Sequence, residues 1–201
     1  MKMPSFVALT LLLAIAAPAA AAPASSSSGV TVAGVTFAPV PKNWTAQPAS
    51  SQMRAAQWTV APPKADKDAP GLEPGEVVVF YFGSGQGGGP KDNIERWQRR
   101  MQAADGSPVT GEVSQRVVDG MRLHVLVAYG TYAAGMPMPG FKPTLKPDYG
   151  LVGVVIETRE GNVFVRFTGP KALVKANLEA FETWLAASKK ATGADAKSGD
   201  S

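Results

Sequence analysis

The chain has 201 residues, with 20 basic and 16 acidic side chains, one histidine, no cysteine and a formal net charge of +4. Without cysteine there are no disulfides, thiol nucleophiles, cysteine zinc sites or lipid-modified cysteine, and a single histidine rules out a two-histidine metal centre. So small a charge excess gives no reason to expect nucleic acid as a partner, and a folded body of roughly 155 residues can be stabilised by apolar burial alone.

Lys2 is followed by the apolar run 6–17, then Pro18 and an alanine-rich stretch. This is the charged, apolar and small-residue order of a secretory signal peptide, and the run is too short for a permanent bilayer span. Residues 1–24 are therefore expected to direct export to the periplasm or the extracellular space, with cleavage after Ala21 or Ala24 and no permanent membrane anchor. Residues 25–29, Ser-Ser-Ser-Ser-Gly, form a flexible linker by composition. A single domain is expected over 30–188 and a disordered tail over 189–201.

Val35 to Phe37 can form a short strand, stopped by Pro39 and Pro41, with Trp44 in a turn. Met53 to Val60 alternates, placing Arg54, Ala56, Trp58 and Val60 on one side and Met53, Ala55, Gln57 and Thr59 on the other. The proline- and charge-rich stretch 61–74 reads as a surface loop. Val77 to Phe82 is a β-branched and aromatic run suited to a buried strand; it leads through the glycine-rich loop 83–89 into a helix opened by Pro90. Ile94, Trp97 and Met101 share the apolar face of that helix.

Two hairpins follow. Val113–Val118 meets Met121–Tyr129 across Asp119-Gly120, a pair suited to a type I′ turn. That register puts Val118, Met121, Leu123, Val125, Val127 and Tyr129 on one face and His124 on the other, opposite Gln115. Leu151–Arg159 turns at Glu160-Gly161 and returns through Asn162–Thr168, with Val152, Val154, Ile156, Val163, Val165 and Phe167 sharing a face. The last helix runs from Lys171 to about Ser188, with Val174, Leu178, Phe181 and Leu185 at helical spacing and Trp184 alongside. Hairpin-paired strands with helices set between and after them indicate an α+β sandwich on a mostly antiparallel sheet.

The order Trp44, Met53-Arg54-Ala55, the Val77–Phe82 strand, the Asn93 to Trp97 helix, paired hairpins and a closing helix with Phe181 and Trp184 resembles the PsbP-like α/β/α sandwich superfamily, to which DcrB-like exported proteins belong. The resemblance implies a small non-enzymatic binding or assembly module without a cofactor. It transfers no residue roles, because members do different jobs on one frame. DcrB-type lipoproteins carry a cysteine after the signal, and this chain has none.

Gly83 to Gly88 matches the G-x-G-x-x-G spacing between a strand and a helix, but no acidic residue closes a second parallel strand, so a dinucleotide site is not expected. A more modest reading is an anion held by the amides of Gly85, Gln86, Gly87, Gly88 and Gly89. Ser84, Gln86 and His124 would be the residues of an alternative hydrolase-like site, and a structural envelope role is a third reading. Asp66, Asp68 and Glu73 lack the spacing of a calcium loop, and no metal site is expected. The stretch 133–150 carries the expected ligand- or partner-binding residues: Met136, Met138, Phe141, Leu145 and Tyr149 lie between prolines that restrict the backbone.

Overall fold

A computed structural model describes residues 29–62, 72–135 and 142–191. An eight-stranded sheet forms the middle layer. Its strands are β3 (Trp44–Ala46), β4 (Arg54–Val60), β5 (Gly75–Tyr81), β6 (Met101–Gln102), β7 (Glu112–Val118), β8 (Met121–Ala134), β9 (Thr144–Thr158) and β10 (Gly161–Pro170). They run in the order β3-β4-β5-β10-β9-β8-β6, with β7 also paired to β8. Every pairing within it is antiparallel, as expected for an α+β fold. A second small sheet joins β1 (Thr31–Val32), β2 (Val35–Thr36) and β11 (Lys189–Lys190). The ordered chain thus continues past Ser188 into a strand, where the sequence suggested a tail.

The two helices cover opposite faces unequally. Helix α2 (Lys171–Ala186) lies on the face bearing Val77, Val79, Val125, Val154, Val165 and Phe167, all buried. Phe37 stacks on Trp184 with ring centroids 4.9 Å apart, Trp44 lies 5.2 Å from Trp184, and the Trp184 indole N–H donates to the Ala38 carbonyl at 2.9 Å. Helix α1 (Pro90–Gln98) is shorter and places Ile94 and Trp97 over Leu126, Leu151, Val155 and Phe164. That face is therefore drier near α1 than the half-covered surface read from its charged residues. Trp97 fits because Gly153 lies beneath it: a Cβ there would fall inside the indole ring. Helix α1 ends at Gln98, and Met101 sits in β6, buried, rather than on the helix.

The hairpin registers explain which face each strand presents. β7 and β8 pair across Asp119 (φ 47°) and Gly120 (φ 75°), with Gln115 opposite His124, as the Asp-Gly pair requires. β9 and β10 turn at Arg159-Glu160, pairing Thr158 with Gly161. The sequence reading placed this turn one residue later, which shifts the pairing by two. A shift of two leaves every side chain on its own face, so the apolar set from Val152 to Phe167 still packs together.

Ala133 and Ala134 pair with Leu145 and Thr144. The stretch 133–150, expected to carry the binding residues, is thus strand at both ends, where β8 pairs with β9. Met136, Met138 and Phe141 lie outside the described residues.

Candidate functional site

Because α1 is only 9 residues long, it leaves part of its sheet face uncovered. A cavity of about 440 Å³ occupies that space, with Glu76 and Phe80 of β5, Arg166 and Thr168 of β10, Tyr132 of β8 and Tyr149 of β9 on its walls. Met53, Arg54, Arg100 and Lys146 complete it, and Gly135, where β8 ends, stands on its lining.

Two β-bulges turn charged side chains into this space. On β4 the register shifts between Arg54 and Ala56, so Arg54 opposes Phe80 while Ala56 opposes Val79. Simple alternation puts Arg54 with Ala56 and Trp58; the extra residue, Ala55, sends it instead to the side of Gln57 and Glu76. Arg54 Nη1 donates to Glu76 Oε1 at 2.6 Å and to Gln57 Oε1 at 2.8 Å. Across the sheet the register shifts again, with Gly130 opposite Tyr149 but Tyr132 opposite Lys146. The two residues Pro147 and Asp148 (φ 51°) face the single residue Thr131. In a regular strand Lys146 and Tyr149, three apart, would point to opposite faces. Here Lys146 Nζ donates to the Tyr149 hydroxyl at 3.0 Å and to Glu73 Oε2 at 3.1 Å, and the Tyr149 hydroxyl donates to the same carboxylate at 2.9 Å.

The hydrogen bond from Tyr149, followed by those from Lys146, holds the Glu73 carboxyl below the usual glutamate range. Lys146 is correspondingly raised, first by its hydrogen bond with Tyr149 and then by that with Glu73. Tyr149 is itself raised, mainly by burial.

Arg166 is the residue these partners leave out. Its guanidinium carbon lies 5.2 Å from the Phe80 ring centroid, and that of Arg54 lies 5.7 Å from the same centroid. Its Nε is shielded from solvent and has no hydrogen-bond partner among the described residues. Burial lowers its pKa most, neighbouring Arg100 and Arg54 push the same way, and Tyr132 and Glu76 pull against them. A guanidinium remains charged regardless, so the chain holds a half-buried cation with a shielded Nε in the cavity wall. Arg100 Nη1 donates to the carbonyls of Gly135 (2.7 Å) and Ala133 (3.2 Å), which satisfies a donor without neutralising its charge. Of the four cations lining the cavity, Arg54 is paired with Glu76 and Lys146 with Glu73, while Arg100 and Arg166 have no ion pair among the described residues.

The residues singled out from sequence fall in different places. Tyr149 is buried in the cavity wall, stacked on Tyr132 at 6.1 Å, whereas Leu145 is exposed. The glycine loop packs elsewhere, with Gly87 against Phe82 and Phe164 and Gly83 beside Gly161. At the N-terminus of α1, Asp92 Oδ2 accepts from the Gly89 N–H at 3.4 Å, the returning half of a capping box, and buried Asn93 donates to Gly87 O and Gly89 O. A carboxylate of the chain itself therefore stands at the amide of Gly89. Ser84, Gln86 and His124 share no hydrogen bond among those described. His124 Nε2 lies 3.4 Å from Glu157 Oε1 on the adjoining strand. Sequence reasoning did not find Arg54, Arg100, Lys146 and Arg166. One signal was present: Pro147 inside a strand-like run, where proline marks an edge or a bulge.

A second cavity of about 490 Å³ separates the Ala38–Pro41 segment from α2, and Glu179 is its single charged lining residue. With Glu179 and Thr183 set among alanine, proline and valine it offers fewer converging polar groups, so the first cavity is the stronger candidate.

No family model and no curated protein matches the chain. Solved structures do. LpqN, involved in cell envelope biogenesis of Mycobacterium tuberculosis, is 15% identical over 77% of this chain and 82% of its own, with a TM-score of 0.47. PA94 of Pseudomonas aeruginosa, a protein of unknown function, is 12% identical over 72% and 95%, with a TM-score of 0.42. The solution structure of cyanobacterial PsbP from Synechocystis is 13% identical over 85% of this chain and all of its own, with a TM-score of 0.46. No helix among the described residues is long and apolar enough to cross a membrane.

Proposed function

We propose that the protein is an exported, non-enzymatic binding module that takes a small ligand, or a side chain of a partner protein, into the cavity between β4, β10 and the β8–β9 hairpin. The observation that carries this reading is the uncovered cavity wall itself, where the shielded Arg166 Nε lacks a partner among the described residues. A polar group kept dry without a partner costs stability, and binding is a reason for a fold to retain it. Leu145 and Tyr149 belong to the hairpin at this site. Met136, Met138 and Phe141, in the segment that follows Gly135, are the adaptable apolar contacts for the rest of the ligand or partner.

The test is native mass spectrometry of the full chain purified from the exported fraction, compared with Ser51→Trp, an exposed position on the cavity lining. A bound species is expected on the parent and lost from a variant that melts at the parent's temperature. A species retained by the variant would move the site elsewhere. The same spectra give the mature N-terminus, expected between Ala22 and Ser25; intact Met1 in the exported fraction would remove the signal peptide. Replacing Met138 and Phe141 together by serine should weaken partner binding by about 1–3 kcal/mol with melting unchanged. A melting temperature lowered by several degrees would instead mark both side chains as core packing.

A further inference from the structure

The cavity described above also indicates what class of molecule it takes, an inference that rests on the cavity being the binding site. Its charge is one-sided: Glu76 engages Arg54 and Glu73 engages Lys146, while Arg100 and Arg166 face no carboxylate in any described ion pair. Arg100 spends its described hydrogen bonds on main-chain carbonyls. Guanidinium forks match the two-oxygen edges of carboxylates and phosphates, and desolvation strengthens that pairing. Met53, Phe80, Tyr132 and the ring of Tyr149 supply apolar and aromatic wall, interrupted by the hydroxyls of Ser51 and Thr168. A volume of about 440 Å³ suits a molecule of modest size, beyond a bare ion.

We propose that the cavity binds a small amphiphilic oxyanion, its carboxylate or phosphate head held between Arg166 and Arg100 and its apolar body laid against Phe80 and Tyr132. Glu76 positions the site by holding Arg54 beside the same ring. The two cations without a described ion pair favour a head with two negative charges, so a phosphate monoester should bind more tightly than a carboxylate.

Isothermal titration of the full chain with hexyl phosphate, hexanoate, hexanol and hexyltrimethylammonium tests this directly. Saturable one-to-one binding of one or both anions is expected, weakening as salt rises, with hexanol and the cation at least tenfold weaker. Hexyl phosphate is expected to bind more tightly than hexanoate, and the reverse order would overturn the match to a doubly charged head. Arg166→Met should lose at least tenfold in affinity for the preferred anion, and Arg166→Lys, which keeps the charge without the fork, should lose less. Absence of anion binding, or an Arg166→Met variant that binds like the parent, would overturn the proposal. Hexanol binding as tightly as the anions, and lost from Ser51→Trp, would overturn the anion preference alone and leave the cavity as a binding site.

Discussion

Arg166 and Glu73 illustrate opposite treatments of charge at one site. Arg166 has a shielded Nε and no ion pair among the described residues, an arrangement that costs the folded state, whereas an apolar side chain of similar length would not incur that cost. Arg166→Met should therefore raise stability by about 1–2 kcal/mol even after the stacking on Phe80 is lost, a gain of about 2–4 °C in melting temperature for each kcal/mol. A calorimetric scan showing a lower melting temperature would mean that the arginine serves packing instead. Glu73 is exposed yet tightly partnered by Tyr149 and Lys146. Its folded pKa is depressed, so its contribution is present above the ordinary glutamate value and is lost as pH falls through the lower folded value. Lys146 has the opposite sign: its raised pKa contributes below the ordinary lysine value, a contribution lost as pH rises through the folded one. Carbon-detected NMR should find Glu73 titrating below the other exposed glutamates, and Tyr149→Phe should return it towards them, since the tyrosine hydrogen bond is the largest cause of the shift. A Glu73 midpoint unmoved by Tyr149→Phe would contradict that assignment.

Among the elements, the unequal helices decide where the cavity lies. The 16 residues of α2 span their face of the sheet, while the 9 of α1 cover only the part over Leu126, Val155 and Phe164. Helix α1 is fixed in place by Trp97 above Gly153, and Gly153→Ala should force the indole aside at a cost of about 1–3 kcal/mol, read as a lower denaturation midpoint. A variant as stable as the parent would show that the ring can give way freely. Strands β5, β8, β9 and β10, both hairpins and both helices were legible in sequence because each repeats its periodicity over several residues. The bulges were not. Ala55 is as compatible with one face of β4 as with the other, so alternation assigned Arg54 to the wrong side without any visible conflict. Lys146 and Tyr149 lay in the proline-interrupted stretch 133–150, before the strand read from Leu151, so no alternation was assigned to them at all. Arg166 sat at an ordinary alternating position, and what isolates it is the absence of helix above it, which only the third dimension reveals.

At the scale of the whole molecule, the ends of the described chain meet. β11 pairs with β2, setting Lys189 opposite Thr36 and Lys190 opposite Val35, and the Ala191 N–H donates to Gly34 O at 2.9 Å. The Lys190 N–H also donates to Asp119 Oδ2 at 2.7 Å, so the turn between β7 and β8 is fastened to the same strand. Phe37, immediately after β2, is stacked on Trp184 of the last helix. Removing residues 189–201 should accordingly increase amide exchange over residues 30–37 while the hairpin amides of β9 and β10 keep their protection; unchanged exchange at Val35 and Phe37 would show that the aromatic stack alone holds the first strands. For a chain that emerges N-terminus first, this clasp sets a temporal order. The earliest residues to appear have no lasting place until the latest arrive, about 150 residues afterwards, so closure of a very long loop belongs to the final step of folding.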